Sequence, residues 1–209
     1  MDNKKRIAVL VSGGGTNLQA LIDAQNAGEL VSGSIALVVS SRAEVYALER
    51  ARLNGIRTEV VVRKGMERDS FSDAVAKVID EHGIDLIILA GFNCILSPSF
   101  ISRYPNMIIN VHPALIPSFC GDGFYGLAVH EAVLESGVKL TGATVHFVNE
   151  ITDGGAIILQ KAVRVSSEDT PEELQKRVMY QAEWELLPRA AELFCAGKIV
   201  VDGKKTKLL

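Results

Sequence analysis

The sequence predicts an α/β protein built on a mostly parallel, twisted sheet with helices on both faces. Three observations carry this. Short apolar runs alternate with longer helical patterns in a βαβαβαβ rhythm through the first half of the chain. The runs are continuous, as in Ile7-Ala8-Val9-Leu10-Val11, which is the pattern of strands buried on both faces. The composition, 209 residues with 48% hydrophobic and 22% charged, is that of a globular chain able to bury a core without disulfides or metal.

Each element follows from local chemistry. After the first strand, Ser12-Gly13-Gly14-Gly15-Thr16-Asn17 is too flexible for a regular element. Leu18, Leu21 and Ile22 then fall at helical spacing, and Gly28 is a plausible stop. Residues 35–39 read as a second strand, 44–54 as a helix stopped by Gly55, and Val60-Val61-Val62 as a third strand. Phe71, Val75, Val78 and Ile79 form one apolar helical stripe ending near Gly83, and residues 86–90 form a fourth strand. The second half is less regular. It offers strands at 107–111, 144–148 and 156–165, a helix at 127–136, and a Pro-rich connection from His112 to Ser118. Asp169 or Thr170 caps a long helix, with Pro171 in its first turn and acids at its positive end; it runs to about Ala196. Residues 197–209 form a tail with hairpin character. No repeat or linker divides the chain, so a single domain is expected over residues 1–209.

Charge and cysteine usage exclude several classes. With 22 Lys and Arg against 25 Asp and Glu, the net charge of −3 gives no general attraction to nucleic acid. Cys94, Cys120 and Cys195 are odd in number and far apart, which suits reduced thiols. No apolar stretch approaches the roughly 20 residues of a membrane span, and the first apolar run is too short for a leader peptide. A cytoplasmic location without membrane association follows as an expectation. The four His and three Cys show no metal-ligand spacing, so no metal is expected.

Ligands of such sheets sit beyond the carboxyl ends of the strands. Chemistry is therefore sought just after each apolar run. The first candidate is Gly14, Gly15, Thr16 and Asn17, where backbone N–H groups and a helix N-terminus favour a phosphate; the alternative is an ordinary tight turn. No Gly-Lys-Ser/Thr follows, and Leu18 stands where a dinucleotide loop needs a small residue. Ser40-Ser41-Arg42 offers no acid for a ribose, so a nicotinamide dehydrogenase is disfavoured.

The second candidate is Asn110-Val111-His112-Pro113. Residues 110 and 112 share one face of an extended segment, where an amide and an imidazole can grip one carbonyl oxygen. The third is Asp153-Gly154-Gly155, whose glycines indicate close backbone approach or positive φ; Asp153 is placed to orient His112 and hold it protonated. A plain Asp-Gly turn is the alternative. His146 reads as a partner of the site or a core histidine, and His130 as a helix-face residue. Cys120 has no base placed beside it by sequence.

The segments Ser12–Ala20, Leu89-Ala90-Gly91-Phe92, Ile95–Pro98, Asn110–Pro117, Gly142–Val148 and Asp153–Gly155 together resemble the folate-dependent phosphoribosylglycinamide formyltransferase family, in order and over nearly the whole chain. The resemblance implies a Rossmann-like formyltransferase fold and formyl transfer from 10-formyltetrahydrofolate to the amine of glycinamide ribonucleotide in purine biosynthesis. It implies a catalytic set of Asn110, His112 and Asp153, and substrate phosphate on Gly14, Gly15, Thr16 and Asn17. It places the ribose on Glu183 and the folate against Arg68, Phe92, Cys94, Ile95, Leu96 and Asn110. It also divides the chain into a phosphate-binding half, 1–105, and a catalytic and folate-binding half, 106–209. Many members carry Arg where Cys94 stands, and the stretch Cys120–Tyr125 is longer than the common form. A monomer or homodimer acting on small molecules is expected. The alternatives are a formyltetrahydrofolate hydrolase and a non-catalytic nucleotide-phosphate sensor. The hydrolase carries an additional N-terminal domain, and methionyl-tRNA formyltransferase an additional C-terminal one; neither is expected in 209 residues that open on the first strand.

Overall fold

The computed structural model describes residues 4–209. Seven strands form one sheet: β1 (Lys5–Val11), β2 (Gly33–Ser40), β3 (Arg57–Val60), β4 (Leu86–Leu89), β5 (Ile108–His112), β6 (Leu140–Phe147) and β7 (Ile157–Arg164). Their order is β3-β2-β1-β4-β5-β6-β7. The first five run parallel, while β6 is antiparallel to β5 and β7 to β6. A mostly parallel sheet is therefore what the rhythm of the sequence produces.

The continuous apolar runs have a direct structural cause. Ile7, Val9 and Val11 enter one core, and Ala8 and Leu10 enter the other. The first core packs helices α1 (Thr16–Asn26), α2 (Tyr46–Leu53), α6 (Pro171–Val178) and α7 (Trp184–Cys195) on one face. The second packs α3 (Arg68–Glu81) and α4 (Pro98–Arg103) on the other. Helix α5 (Leu127–Glu135) follows the long loop after β5.

Three elements differ from the reading of the sequence. The third strand is Arg57–Val60, not 60–62, because β3 is an edge strand and needs no apolar run; Val60 and Val62 are exposed. Helix α4 is too short for periodicity to reveal, and Ser97 starts it by accepting the Phe100 N–H with Pro98 next. The long C-terminal helix is interrupted by a π-helical turn at Met179–Glu183. Pro188 follows inside α7 and has no N–H to donate to the preceding turn. The tail forms the expected hairpin, β8 (Ile199–Asp202) with β9 (Lys205–Leu208).

His130 corrects a further expectation. It lies on α5 but is fully buried, and neither ring nitrogen has a protein hydrogen-bond partner. The apolar residues around it in sequence do not show which turn of α5 faces inward. Burial, with His112 adding to it, lowers its pKa to about 4. The unfolded chain then takes up this proton first, so stability falls as pH drops from about 6.5 toward 4. His130→Leu should remove this loss and flatten the acid limb of the stability curve by about 3 kcal/mol. Urea denaturation across that pH range measures it; an unchanged slope would show that the folded protein charges His130 freely.

Candidate active site

The site stands at the carboxyl ends of β1, β4 and β5. In the antiparallel pairing of β5 with β6, Asn110 lies opposite His146 and His112 opposite Thr144. Asn110 and His112 therefore share one face, and His146 joins them from the next strand. The Asn110 amide nitrogen is 3.2 Å from His146 Nε2. His146 Nδ1 donates to the Phe147 carbonyl at 2.8 Å, which leaves Nε2 to accept the Asn110 N–H.

Asp153 approaches from the loop between β6 and β7. Its oxygens are 3.6 Å from His112 Nδ1 and 3.6 Å from His146 Nε2, and its side chain is only 10% exposed. Gly121 N–H donates to Asp153 Oδ2 at 2.9 Å. Burial pushes this carboxyl upward, but His146, the Gly121 N–H and His112 outweigh it and hold it below the ordinary value. It is a carboxylate at neutral pH.

The same balance runs the other way at His112. Burial lowers its pKa more than Asp153 and the Phe119 carbonyl raise it. This corrects the expectation that Asp153 holds the imidazole protonated: the ligand-free ring is neutral at pH 7, and Asp153 moderates the shift without reversing it. His112 Nε2 is 2.8 Å from the Phe119 carbonyl.

The loop geometry has a backbone cause. Asp153 itself has φ 54, in the left-handed region, while Gly154 and Gly155 do not. Gly155 is required for close approach instead, since a Cβ there would lie 1.7 Å from the Phe147 carbonyl oxygen. A bulge in the β6–β7 pairing at Val145/His146 falls beside it. The Pro-rich exit of β5 is pinned by Thr144, which donates to the Ala114 carbonyl at 2.7 Å and accepts from Ile116 N–H at 3.1 Å.

At the end of β1, Gly15 has φ 74 and begins α1, and its missing Cβ leaves room for Ala47. Gly14 faces open space. The Asn17 side chain is buried and donates one N–H to Glu183 Oε2 at 2.6 Å, which leaves its second N–H for a ligand. Glu183, on the π-helical turn, is buried and pushed up to about 7 by that burial. A cation not anticipated from sequence stands here: Arg50, on α2, donates to the Gly14 carbonyl and to Gln19, both at 2.9 Å. Thirty-odd residues separate it from the loop, and no local pattern marks it.

The remaining candidates lie along one edge. Phe92 stacks on Phe71 with centroids 6.2 Å apart, and Cys94 packs partly buried on the same core. Ile95 is exposed, whereas the Leu96 side chain is 5% exposed inside that core and can meet a ligand only through its backbone. Arg68 is exposed at the start of α3, 3.7 Å from Asp69. Ser72 links the two stretches, donating to the Arg68 carbonyl and accepting from Ser97 N–H. The Cys120 thiol is raised by burial and by Asp153, and donates to the Pro117 carbonyl. Among the described residues, no group of three or more His, Cys, Asp or Glu side chains is placed to hold a metal ion. No helix among them is long and apolar enough to cross a membrane.

An amide, an imidazole and a carboxylate thus converge at the carboxyl edge of a doubly covered sheet, an arrangement able to stabilise an oxyanion and move a proton. Residues 5–191 match the formyl transferase family, and the chain belongs to it. It is 40% identical over 208 residues to phosphoribosylglycinamide formyltransferase of Haemophilus influenzae, covering 96% of this chain and 95% of that one. The crystal structure of glycinamide ribonucleotide transformylase 1 from Symbiobacterium toebii superposes with a TM-score of 0.93 at 39% identity, covering 100% and 96%. A formyltetrahydrofolate deformylase from Pseudomonas syringae superposes with a TM-score of 0.88 at 28% identity, covering 99% of this chain but 66% of that one.

The backbone contact at Gly155 yields a direct test. Gly155→Ala should destabilise the protein by about 1–3 kcal/mol through overpacking and depress turnover by displacing Asp153. Urea denaturation and a rate measurement on the same sample read both. An unchanged midpoint would mean that the loop can yield without cost.

Proposed function

We propose that the chain transfers a formyl group from 10-formyltetrahydrofolate to the amine of glycinamide ribonucleotide, a step of purine biosynthesis. The observation that carries this reading is the convergence of Asn110, His112 and Asp153 at the end of β5, in a member of the formyl transferase family. The substrate amine attacks the formyl carbon, and negative charge develops on the formyl oxygen. Asn110 has a second N–H beyond the one given to His146, and that N–H stabilises the oxyanion. The neutral His112 takes the proton released by the attacking nitrogen. Asp153 stabilises the resulting imidazolium across the 3.6 Å gap. When the intermediate collapses, the C–N bond to the folate nitrogen breaks and His112 returns the proton to that nitrogen.

In this reading the phosphate rests on the backbone of Gly14, Gly15, Thr16 and Asn17, beside Arg50, with Glu183 reaching the ribose. The folate lies along Phe92, Cys94, Ile95, the Leu96 backbone and Asn110, with Arg68 near its tail. The division into halves at residue 105 is then functional only in part, because Glu183 and Arg68 each serve the opposite half.

The test is folate release from 10-formyltetrahydrofolate with and without glycinamide ribonucleotide. Release only with the amine supports transfer; equal release without it would show a hydrolase, as in the deformylase relative, and overturn the reading. Within the same assay, Asp153→Asn should fold normally, since Asn is among the residues that best tolerate left-handed backbone. Its turnover should fall by about 10²–10⁴-fold as the imidazolium loses its counter-charge. Near-normal turnover in the folded variant would remove Asp153 from the chemistry.

A further inference from the structure

Three non-glycine residues among those described have positive φ: Asn106, Phe119 and Asp153. Two of them face the same imidazole. Phe119 presents its carbonyl to His112 Nε2 at 2.8 Å, and Asp153 lies 3.6 Å from Nδ1. A carbonyl only accepts, so Nε2 must carry hydrogen. Nδ1 is then the unprotonated position of the neutral ring. We propose that Phe119 is a positioning residue for the reaction: its left-handed backbone holds His112 as the Nε2–H tautomer and so makes Nδ1, beside Asp153, the atom that receives the proton.

The surroundings explain how an unfavourable backbone conformation persists. The Phe119 ring packs on the core beneath the sheet and meets Phe124 edge-on, with centroids 6.5 Å apart. Ser118 N–H donates to the Leu115 carbonyl at 2.9 Å, fixing the turn before it. Two residues further on, Gly121 N–H holds Asp153 Oδ2. One short stretch of main chain thus grips the imidazole at 119 and the carboxylate at 121, and sets the distance between them. Strained backbone of this kind survives only where its surroundings over-determine it.

This inference rests on the proposed role of His112, and the experiment separates the two. Ring nitrogen-15 shifts report the tautomer without substrate, and the chain has only four histidines, so His112 is assigned by its loss in His112→Ala. Phe119→Asn removes the ring but accepts left-handed backbone, whereas Phe119→Val keeps apolar bulk and resists it. The Asn variant should keep the Nε2–H tautomer and lose less than about threefold in kcat. The Val variant should mix tautomers and lose at least about tenfold in kcat, a part of what acid–base catalysis supplies, with the KM for glycinamide ribonucleotide within about threefold. If the ring mattered only for packing, the order would reverse, and an Asn variant losing as much as or more than the Val variant overturns the proposal. Should the Val variant not fold, the wild-type spectrum decides: His112 protonated on Nδ1 alone overturns the proposal whatever the role of His112. Mixed tautomers with unchanged kcat would instead take His112 out of the proton transfer, ending both readings.

Discussion

The buried negative charge of Asp153 is the constraint around which the rest of the site is arranged. A carboxylate this enclosed persists only if its surroundings replace the water it has lost. Here a direct replacement comes from the Gly121 N–H in the loop that follows the Pro-rich segment, at 2.9 Å, while His112 on β5 and His146 on β6 stand 3.6 Å away and close the other sides. The two imidazoles are fixed by main-chain carbonyls on their far sides, Phe119 for one and Phe147 for the other. They therefore turn opposite ring atoms toward the same carboxylate, Nδ1 from His112 and Nε2 from His146. The chain is tight at Gly155, where a Cβ would meet the Phe147 carbonyl.

Burial and local charge compete throughout this half of the molecule, and magnitude decides each case. For Asp153 the partners win and the charge stays. At His112 burial wins, leaving a neutral base with a counter-charge waiting beside it. Glu183, with a single amide partner, is pushed up to about 7. Its unfolded form ionises first, so its contribution to stability is present at low pH and lost as pH rises from about 4.5 through 7, opposite in sign to that of His130. Over their shared window, between about 4.5 and 6.5, the two opposing slopes largely cancel.

Much of this was readable from residues alone, and the parts that were not have definable reasons. Continuous apolar runs reveal central strands because both faces are covered; β3 escapes the rule because an edge strand is covered less. The same-face placement of Asn110 and His112 follows from the two-residue period of a strand, which no tertiary context can change. The glycines after Asp153 signal crowding, yet the positive φ belongs to Asp153 itself, since a short polar side chain tolerates it. Phe119 gives no such signal: an aromatic residue there is held by packing that only the fold supplies. His130 and Arg50 fail for the same reason, being defined by neighbours distant in sequence.

The bond between Asn17 and Glu183 joins residues 166 positions apart. Glu192 adds to this stitch by accepting from Val31 N–H, Ser32 N–H and the Ser32 hydroxyl. The helix carrying the Gly-rich loop is therefore made early in synthesis, but its innermost polar contact arrives with nearly the last helix. Such long-range closure costs chain entropy before any contact rewards it, so this corner of the molecule is assembled late. During synthesis, the nascent chain carries the loop and the first strands while the carboxylate that completes their lining is still inside the ribosome.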